Sequence, residues 1–378
     1  MSFGREICGD LSAGLRREWL VTNGLGGYAS GTLAGVNTRR YHGLLVAALT
    51  PPVGRTVLVG GLMEWAVYGG RRYPLSTQEY GDGTIDPQGY KYQSAFELEG
   101  MLPVWRYDLA DAVLEKRVWM AHGSNTTYVR YGLIRGAGPV ALEITPLVTY
   151  RDFHALRSGQ GWRPSAAVVP PWVEIRAGAE AMPYRLALEG GEFIAGGEWY
   201  WNFRHREEAA RGLDDRSDLY APGAFHAVLQ PAQAVTLAVT AEAGEVAGGA
   251  HALREAQARQ GDLLRRAGVE RGDPLLRQLV LAADQFVVRR SAGGDAGKTV
   301  IAGYHWFNDW GRDTMIALPG LALSTGRADD AADILRAFGR FVRDGLLPNN
   351  FPDRDGAVPG YNTADASLWY PLALKAYH

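Results

Sequence analysis

Residues Tyr304–Thr314 read Y-H-W-F-N-D-W-G-R-D-T. This stretch places three aromatics with polar edges (Tyr304, Trp306, Trp310) beside two carboxylates (Asp309, Asp313), the Arg312 guanidinium and a glycine hinge, Gly311. Pyranose rings offer apolar C–H faces that stack on indoles, and hydroxyls that need fixed donors and acceptors. The mixture therefore predicts a sugar site. A plainer reading is a tryptophan-rich loop that plugs a hydrophobic core. The apolar run Met315–Leu323 predicts a helix or helix pair, which puts the polar cluster at a helix N-terminus.

A second loop, Gly345–Tyr370, carries Asn349 and then enters a helix with Asp365 and Trp369 near its start. Thr363 is the expected cap of that helix. Asp365 also fits a purely structural role, as an acid facing the positive end of the helix dipole.

The elements that must position these residues fall into two parts. Trp19–Thr22, Thr56–Leu62, Ala112–Met120, Thr127–Leu133, Val140–Leu147 and Ala234–Thr240 are strand-length and rich in Val, Leu, Thr and aromatics. Turn residues separate them and no βαβ alternation occurs, so they predict a sandwich. Residues 198–225, with three aromatics followed by a charge cluster, predict either a long loop leaning toward the C-terminal part or a solvated hairpin. Arg39, Arg40 and His42 are expected to alternate on a strand opposite Tyr41 and to line an interface between the two parts.

Ala252–Arg266 predicts a bridging helix. Asp273-Pro274 predicts the start of the next one, an N-cap acid followed by proline at the first position. Its apolar face would be Leu276, Leu279, Val280, Ala283, Phe286 and Val287. Ser291–Gly297 reads as a glycine-rich loop and Thr299–Ala302 as a short extended lead. Asp329–Val342 predicts a helix with Ile334, Leu335, Phe338 and Phe341 on one face. The expected division is 1–250 sandwich, 251–273 linker and 274–378 helical domain.

Several function classes are excluded by composition and spacing. Net charge is −2 with both signs mixed, so neither nucleic acid nor an anionic membrane is an expected partner. Only four of the 39 basic residues are lysine, a skew that by itself shows no function. Cys8 is the single cysteine, so no intrachain disulfide forms, and the first residues lack a signal-peptide core; a cytoplasmic location is expected. No apolar run reaches the roughly 18 residues of a membrane span. Gly24, Gly26 and Ala29 mimic a dinucleotide-binding pattern, but no amphipathic helix follows, and the next acid is Glu64, well beyond the expected distance of about 20 residues. The eight histidines show no H-x-x-x-H or H-E-x-x-H spacing, so no metal and no cofactor are expected.

W-G-R-D-T at 310–314, L-P-N at 347–349 and Y-N-T-A-D-A-S-L-W at 361–369 resemble the amylo-α-1,6-glucosidase module of glycogen debranching enzymes. R-E-W-L-V-T-N-G-L-G-G-Y-A-S-G-T and N-T-R-R-Y-H-G-L-L-V-A resemble the N-terminal domain of the bacterial and archaeal enzymes of that family, over most of residues 17–160. The resemblance implies an antiparallel β-supersandwich followed by an (α/α)6 barrel with its site among the loops at one end. It implies glycogen or another branched α-glucan as partner, and hydrolysis of α-1,6-linked glucosyl stubs by an inverting pair of carboxylates. Other barrels that act on α-glucans, glucoamylase-like enzymes among them, carry similar loops. A non-catalytic glucan-binding fragment is the alternative from a different class.

By that resemblance Trp306 and Trp310 shape or stack on the innermost glucose subsite, Arg312 and Asp313 bind its hydroxyls, and Asn349, Asp365 and Trp369 lie on its rim. The family's general acid is the Asp of a T-W-M-D motif and its base a later Glu. Neither motif occurs here, so both are expected beyond residue 378 and no catalytic residue is assigned. Asp313 and Asp365 are the fallback pair. About four helices are expected after the linker, against twelve in a complete (α/α)6 barrel, and the chain stops at His378 without a helix stop signal. A truncated barrel is therefore expected, with exposed apolar faces that favour aggregation. No upstream transferase domain is expected before the first matching strand.

Overall fold

A computed structural model describes residues 1–292, 295–351 and 359–378. Two antiparallel sheets dominate the N-terminal part. The nine-stranded sheet runs, edge to edge, through Ser2–Gly4, Gln93–Glu99, Leu102–Leu109, Ala112–Met120, Thr126–Arg135, Ala234–Thr240, Tyr184–Glu189, Trp172–Arg176 and Ser165–Val169. The second sheet follows Glu192–Arg204, Arg216–Leu229, Val140–Asp152, Val53–Tyr68, Gly43–Thr50, Tyr28–Thr32 and Glu18–Thr22, with Arg71–Pro74 paired to Val53–Tyr68.

Alternation along the strands sends Leu45, Val59, Ile144 and Val148 from one sheet, and Leu114, Val129, Leu133 and Leu237 from the other, into one buried cluster. Glu64 is buried within it but not stranded. Lys116 Nζ lies 2.6 Å away and the Tyr131 hydroxyl donates to it. Each predicted strand lies within an observed one, and Ala112–Met120 and Ala234–Thr240 match end to end.

One sequence expectation in this part is corrected, and one open pair of alternatives is decided in favour of a hairpin. Arg39–Tyr41 form a turn, closed by His42 N–H donating to Arg39 O at 3.1 Å, so these residues do not alternate on a strand. Their interface position is nonetheless observed, as described below. Residues 198–225 fall on a hairpin of the second sheet, Glu192–Arg204 against Arg216–Leu229, with the short helix Arg206–Ala210 in its connection. The glycines at 24–27 lead into a strand. Gly24 has φ +71°, and a Cβ there would come within 2.2 Å of the His122 ring.

The linker helix spans Gly249–Arg266. Asp273 caps the helix Pro274–Asp284, accepting from Leu275 N at 2.8 Å and Leu276 N at 3.3 Å. Val280 and Leu281 of that helix are buried, whereas Leu276 and Leu279 of the expected apolar face stay exposed, and Phe286 and Val287 lie beyond its end. Ser291–Gly297 is not simply a loop: Val287–Ala292 pairs antiparallel with Asp295–Val300, which takes in the extended lead expected at Thr299, while residues 293–294 lie outside the described residues. The helices Gly311–Leu318, Ala328–Gly339 and Asp365–Tyr377 complete this part, with a π-turn at Pro319–Leu323. Ile334, Leu335 and Phe338 pack with Met315, Leu318 and Phe351. Leu275 is 67% exposed and Leu368 70%. Among the described residues no helix is long and apolar enough to cross a membrane.

The two parts share a core. Tyr28, Tyr41, Val46, Val57 and Phe153 of the sandwich cluster with Val288, Ile301 and Tyr304. Arg55, fully buried over the Phe153 ring, donates to Phe307 O at 2.8 Å and Tyr304 O at 3.4 Å.

Candidate functional site

The eleven-residue stretch divides into residues that hold the fold and residues that face outward. Tyr304 belongs to the first kind: it is buried, its hydroxyl donates to Gln285 O at 2.7 Å, and its ring meets Tyr28 edge-on. Asp309 is also structural, buried and 2.6 Å from the Arg290 guanidinium. Asn308 donates to Phe351 O at 2.5 Å. These bonds satisfy buried polar groups that would otherwise destabilise the loop.

Trp310 stands at the N-cap position of the helix Gly311–Leu318, which has no side-chain cap. Its backbone bridges to Asn350, and Gly311 N–H donates to Asn349 O at 2.8 Å. Gly311 is required here by close approach. A Cβ would come within 2.4 Å of Pro348 O and 3.1 Å of Ala366 Cβ. The helices Gly311–Leu318 and Asp365–Tyr377 can therefore bring their first turns together.

That contact assembles the charged centre. Arg312 Nη1 lies 3.2 Å from Asp365 Oδ2, and Arg312 Nη2 lies 3.4 Å from Asp313 Oδ2. All three remain accessible, with side-chain exposures of 47% for Arg312, 42% for Asp313 and 37% for Asp365. A guanidinium and two carboxylates held on facing helix starts present several fixed donors and acceptors to solvent, the array that vicinal hydroxyls recognise. A hydrogen bond from Thr363, with the Ala366 backbone N–H and the Arg312 guanidinium, outweighs desolvation and holds the Asp365 carboxyl below its usual range. It is therefore ionised at neutral pH and suits a hydroxyl acceptor better than a general acid.

The remaining predicted residues are placed unequally. Asn349 joins the centre indirectly, with its side-chain amide 3.3 Å from Thr363 Oγ1. Thr363 is thus not the expected cap; Ala364 holds that position without a side-chain bond. Trp369 is exposed four residues after Asp365, hence on the same face of the helix. The Trp310 indole N–H is buried without an acceptor among the described residues, and Phe307 packs edge-on against its ring at 6.0 Å. Trp306 is turned toward the sandwich, with Tyr41 at 5.7 Å and the Arg211 guanidinium 4.9 Å above its ring. Part of the second loop, 352–358, lies outside the described residues.

Sequence reasoning did not single out Arg211 or the turn at Arg39–His42 as neighbours of Trp306. The charge cluster after Trp201 was the available signal. Its Glu207 and Glu208 reach Arg39 (3.9 Å) and Arg40 (3.3 Å), which draws the hairpin connection onto the interface.

Comparison with known proteins gives two family matches. The family described as "Glycogen debranching enzyme N terminal" matches residues 17–236, and "Amylo-alpha-1,6-glucosidase" matches residues 281–378. The glycogen debranching enzyme of Saccharomyces cerevisiae is 40% identical over 68 residues, covering 18% of this chain and 4% of the yeast protein. Among solved structures, a bacterial glucoamylase complexed with acarbose superposes with a TM-score of 0.41 at 10% identity, over 89% of this chain and 50% of that one. The chain thus spans half or less of the relatives it matches.

Proposed function

The chain belongs to the glycogen debranching enzyme family, and on that premise we propose that it supplies the sandwich and the substrate-holding start of an amylo-α-1,6-glucosidase. The reaction is hydrolysis of single α-1,6-linked glucosyl stubs on glycogen or limit dextrin, with inversion at the anomeric carbon. The observation that carries this reading is the exposed Arg312–Asp313–Asp365 centre on two facing helix starts.

In this reading Arg312 donates to glucose hydroxyls while Asp313 and Asp365 accept from them. Trp310 shapes the innermost subsite beside them. Trp369 and Asn349 form the rim, and Trp306 walls the site on the sandwich side. An inverting mechanism needs two carboxylates about 6.5–9.5 Å apart with a water between. Asp313 and Asp365 instead flank the same guanidinium, which suits clamping rather than acid–base work. The acid and base are then contributed by segments other than residues 1–378. The exposed leucines of the helices Pro274–Asp284 and Asp365–Tyr377 are the faces that further barrel helices would cover. The division 1–250, 251–273 and 274–378 is part of the same proposal. No cofactor is needed, since hydrolysis requires only carboxylates, water and hydroxyl clamps.

The pairing of both carboxylates with Arg312 also favours a second reading, in which residues 1–378 bind α-glucan without cleaving it. Affinity electrophoresis through a glycogen gel tests the shared claim. Arg312→Ala and Trp310→Ala should each reduce retardation; unchanged mobility of both would remove this centre from glucan binding. Glucose release from limit dextrin by the complete gene product then separates the two readings.

A further inference from the structure

Three residues far apart in the sequence converge where the organising stretch meets the sandwich. Glu18 opens the strand Glu18–Thr22, His42 follows the turn before Gly43–Thr50, and His305 lies beside Trp306. One ring nitrogen of each histidine and a carboxylate oxygen of Glu18 all lie within 4.8 Å of one another. We propose that Glu18, His42 and His305 form a divalent transition-metal site, of the kind that takes Zn²⁺, which ties the organising stretch to the sandwich.

The hydrogen bonds around the cluster favour a cation. The Ser30 hydroxyl donates its one hydrogen to Trp19 O at 2.7 Å. It must therefore accept from His305 Nε2–H, also at 2.7 Å. With Nε2 protonated, the other nitrogen of the neutral ring carries a lone pair, and Nδ1 faces Glu18 Oε2 at 3.7 Å. A lone pair opposite a carboxylate oxygen repels it, and a metal ion between them turns that repulsion into two ligand bonds. His42 is fully buried. Its Nε2 lies 3.3 Å from Glu18 Oε1, a long and poorly aligned contact. Its Nδ1 receives a long contact, 3.4 Å, from Arg39 N–H, so freeing Nε2 for a metal moves the ring proton to Nδ1 and costs that contact, with the two N–H groups then facing each other.

Glu18 is ionised, with the Arg39 guanidinium 2.6 Å away. Glu207 lies 3.9 Å from the same guanidinium and offsets part of its charge. Two imidazole nitrogens and one carboxylate oxygen, with a water completing four-coordination, is a donor set that suits Zn²⁺. The Ser30 contact is the outer-sphere hydrogen bond that such a site needs to orient its ligand. Local sequence spacing could not reveal the site, because its ligands are 24 and 263 residues apart along the chain.

The test uses the 378-residue chain without a histidine tag, stripped with chelator and titrated with Zn²⁺ by calorimetry, with Co²⁺ absorption as a second readout. One saturable Zn²⁺ per chain, a rise in Tm on binding and a visible tetrahedral Co²⁺ band are expected. His305→Gln and Glu18→Gln should each abolish saturable binding, and Ser30→Ala should weaken it about 10- to 100-fold while leaving all three ligands in place. Absence of saturable binding to the unaltered chain, or equal affinity in His305→Gln and Glu18→Gln, would overturn the site. His305 is partly exposed, so its variant remains informative if changes at buried His42 prevent folding.

Discussion

Exposed apolar side chains occur in both parts, Ile134, Ile194 and Val228 among the strands and Leu275, Leu368 and Leu372 among the helices, but the sandwich backs them with the larger buried core. Each sheet closes one face over a shared core, and even its buried charges, such as Glu64 with Lys116, are matched within it. The helices bury one side against each other and the sandwich but leave Leu275, Leu368 and Leu372 in solvent. An unpartnered helix face is stabilised only by whatever covers it. The sandwich therefore carries most of the buried core of the chain, and the helical part presents the proposed glucan-binding centre.

The largest test of this contrast is a matched pair of truncations. Trp119, fully buried and stacked on Tyr128 at 5.3 Å, should cost about 3–5 kcal/mol as Trp119→Ala. Leu368→Ala, in the exposed helical face, should stay within about 0.5 kcal/mol. Denaturant unfolding measures both, and comparable losses would erase the distinction.

Next comes the seam between the parts. Arg55→Met removes the donors to Tyr304 O and Phe307 O and should cost about 1–3 kcal/mol. Calorimetry should then show the helical part melting ahead of the sandwich; one unshifted transition would mean that Arg55 does not couple them.

A pH series sharpens the comparison further. Burial lowers His205 to about 3, with Asn37 O and Ser217 Oγ holding its ring, and lowers His122 to about 4. Both folded values lie below the unfolded value of about 6.5, so the unfolded chain binds the extra protons. Their contribution is complete above about pH 6.5 and is lost as pH falls, down to about 4 for His122 and about 3 for His205. Tm should drop across that window, and His205→Gln should flatten the drop. A Tm independent of pH between 7 and 4 would contradict the burial of these rings.

Strand content was legible because alternation and turn residues are local signals, as Ala112–Met120 and Ala234–Thr240 illustrate. So was the Asp273 cap, which depends on two adjacent residues. The organising stretch was legible in kind but not in division of labour. Nothing local distinguishes Asp309, buried against Arg290, from Asp313, presented beside Arg312. Long-range placement was legible only in outline: the interface position of Arg39, Arg40 and His42 was expected, but Thr363 reaches Asn349 instead of capping its own helix, and Glu18, His42 and His305 meet only in the folded chain.

The most direct measurement is glucose release from phosphorylase limit dextrin by the complete gene product, with and without Arg312→Ala. Loss of one charged hydrogen bond to the sugar, worth about 1.5–3 kcal/mol, predicts a fall in kcat/KM of about 10- to 100-fold, with the released glucose initially in the β configuration. Undiminished release by the variant, or none from the unaltered product, would contradict the assignment of this centre to a debranching glucosidase.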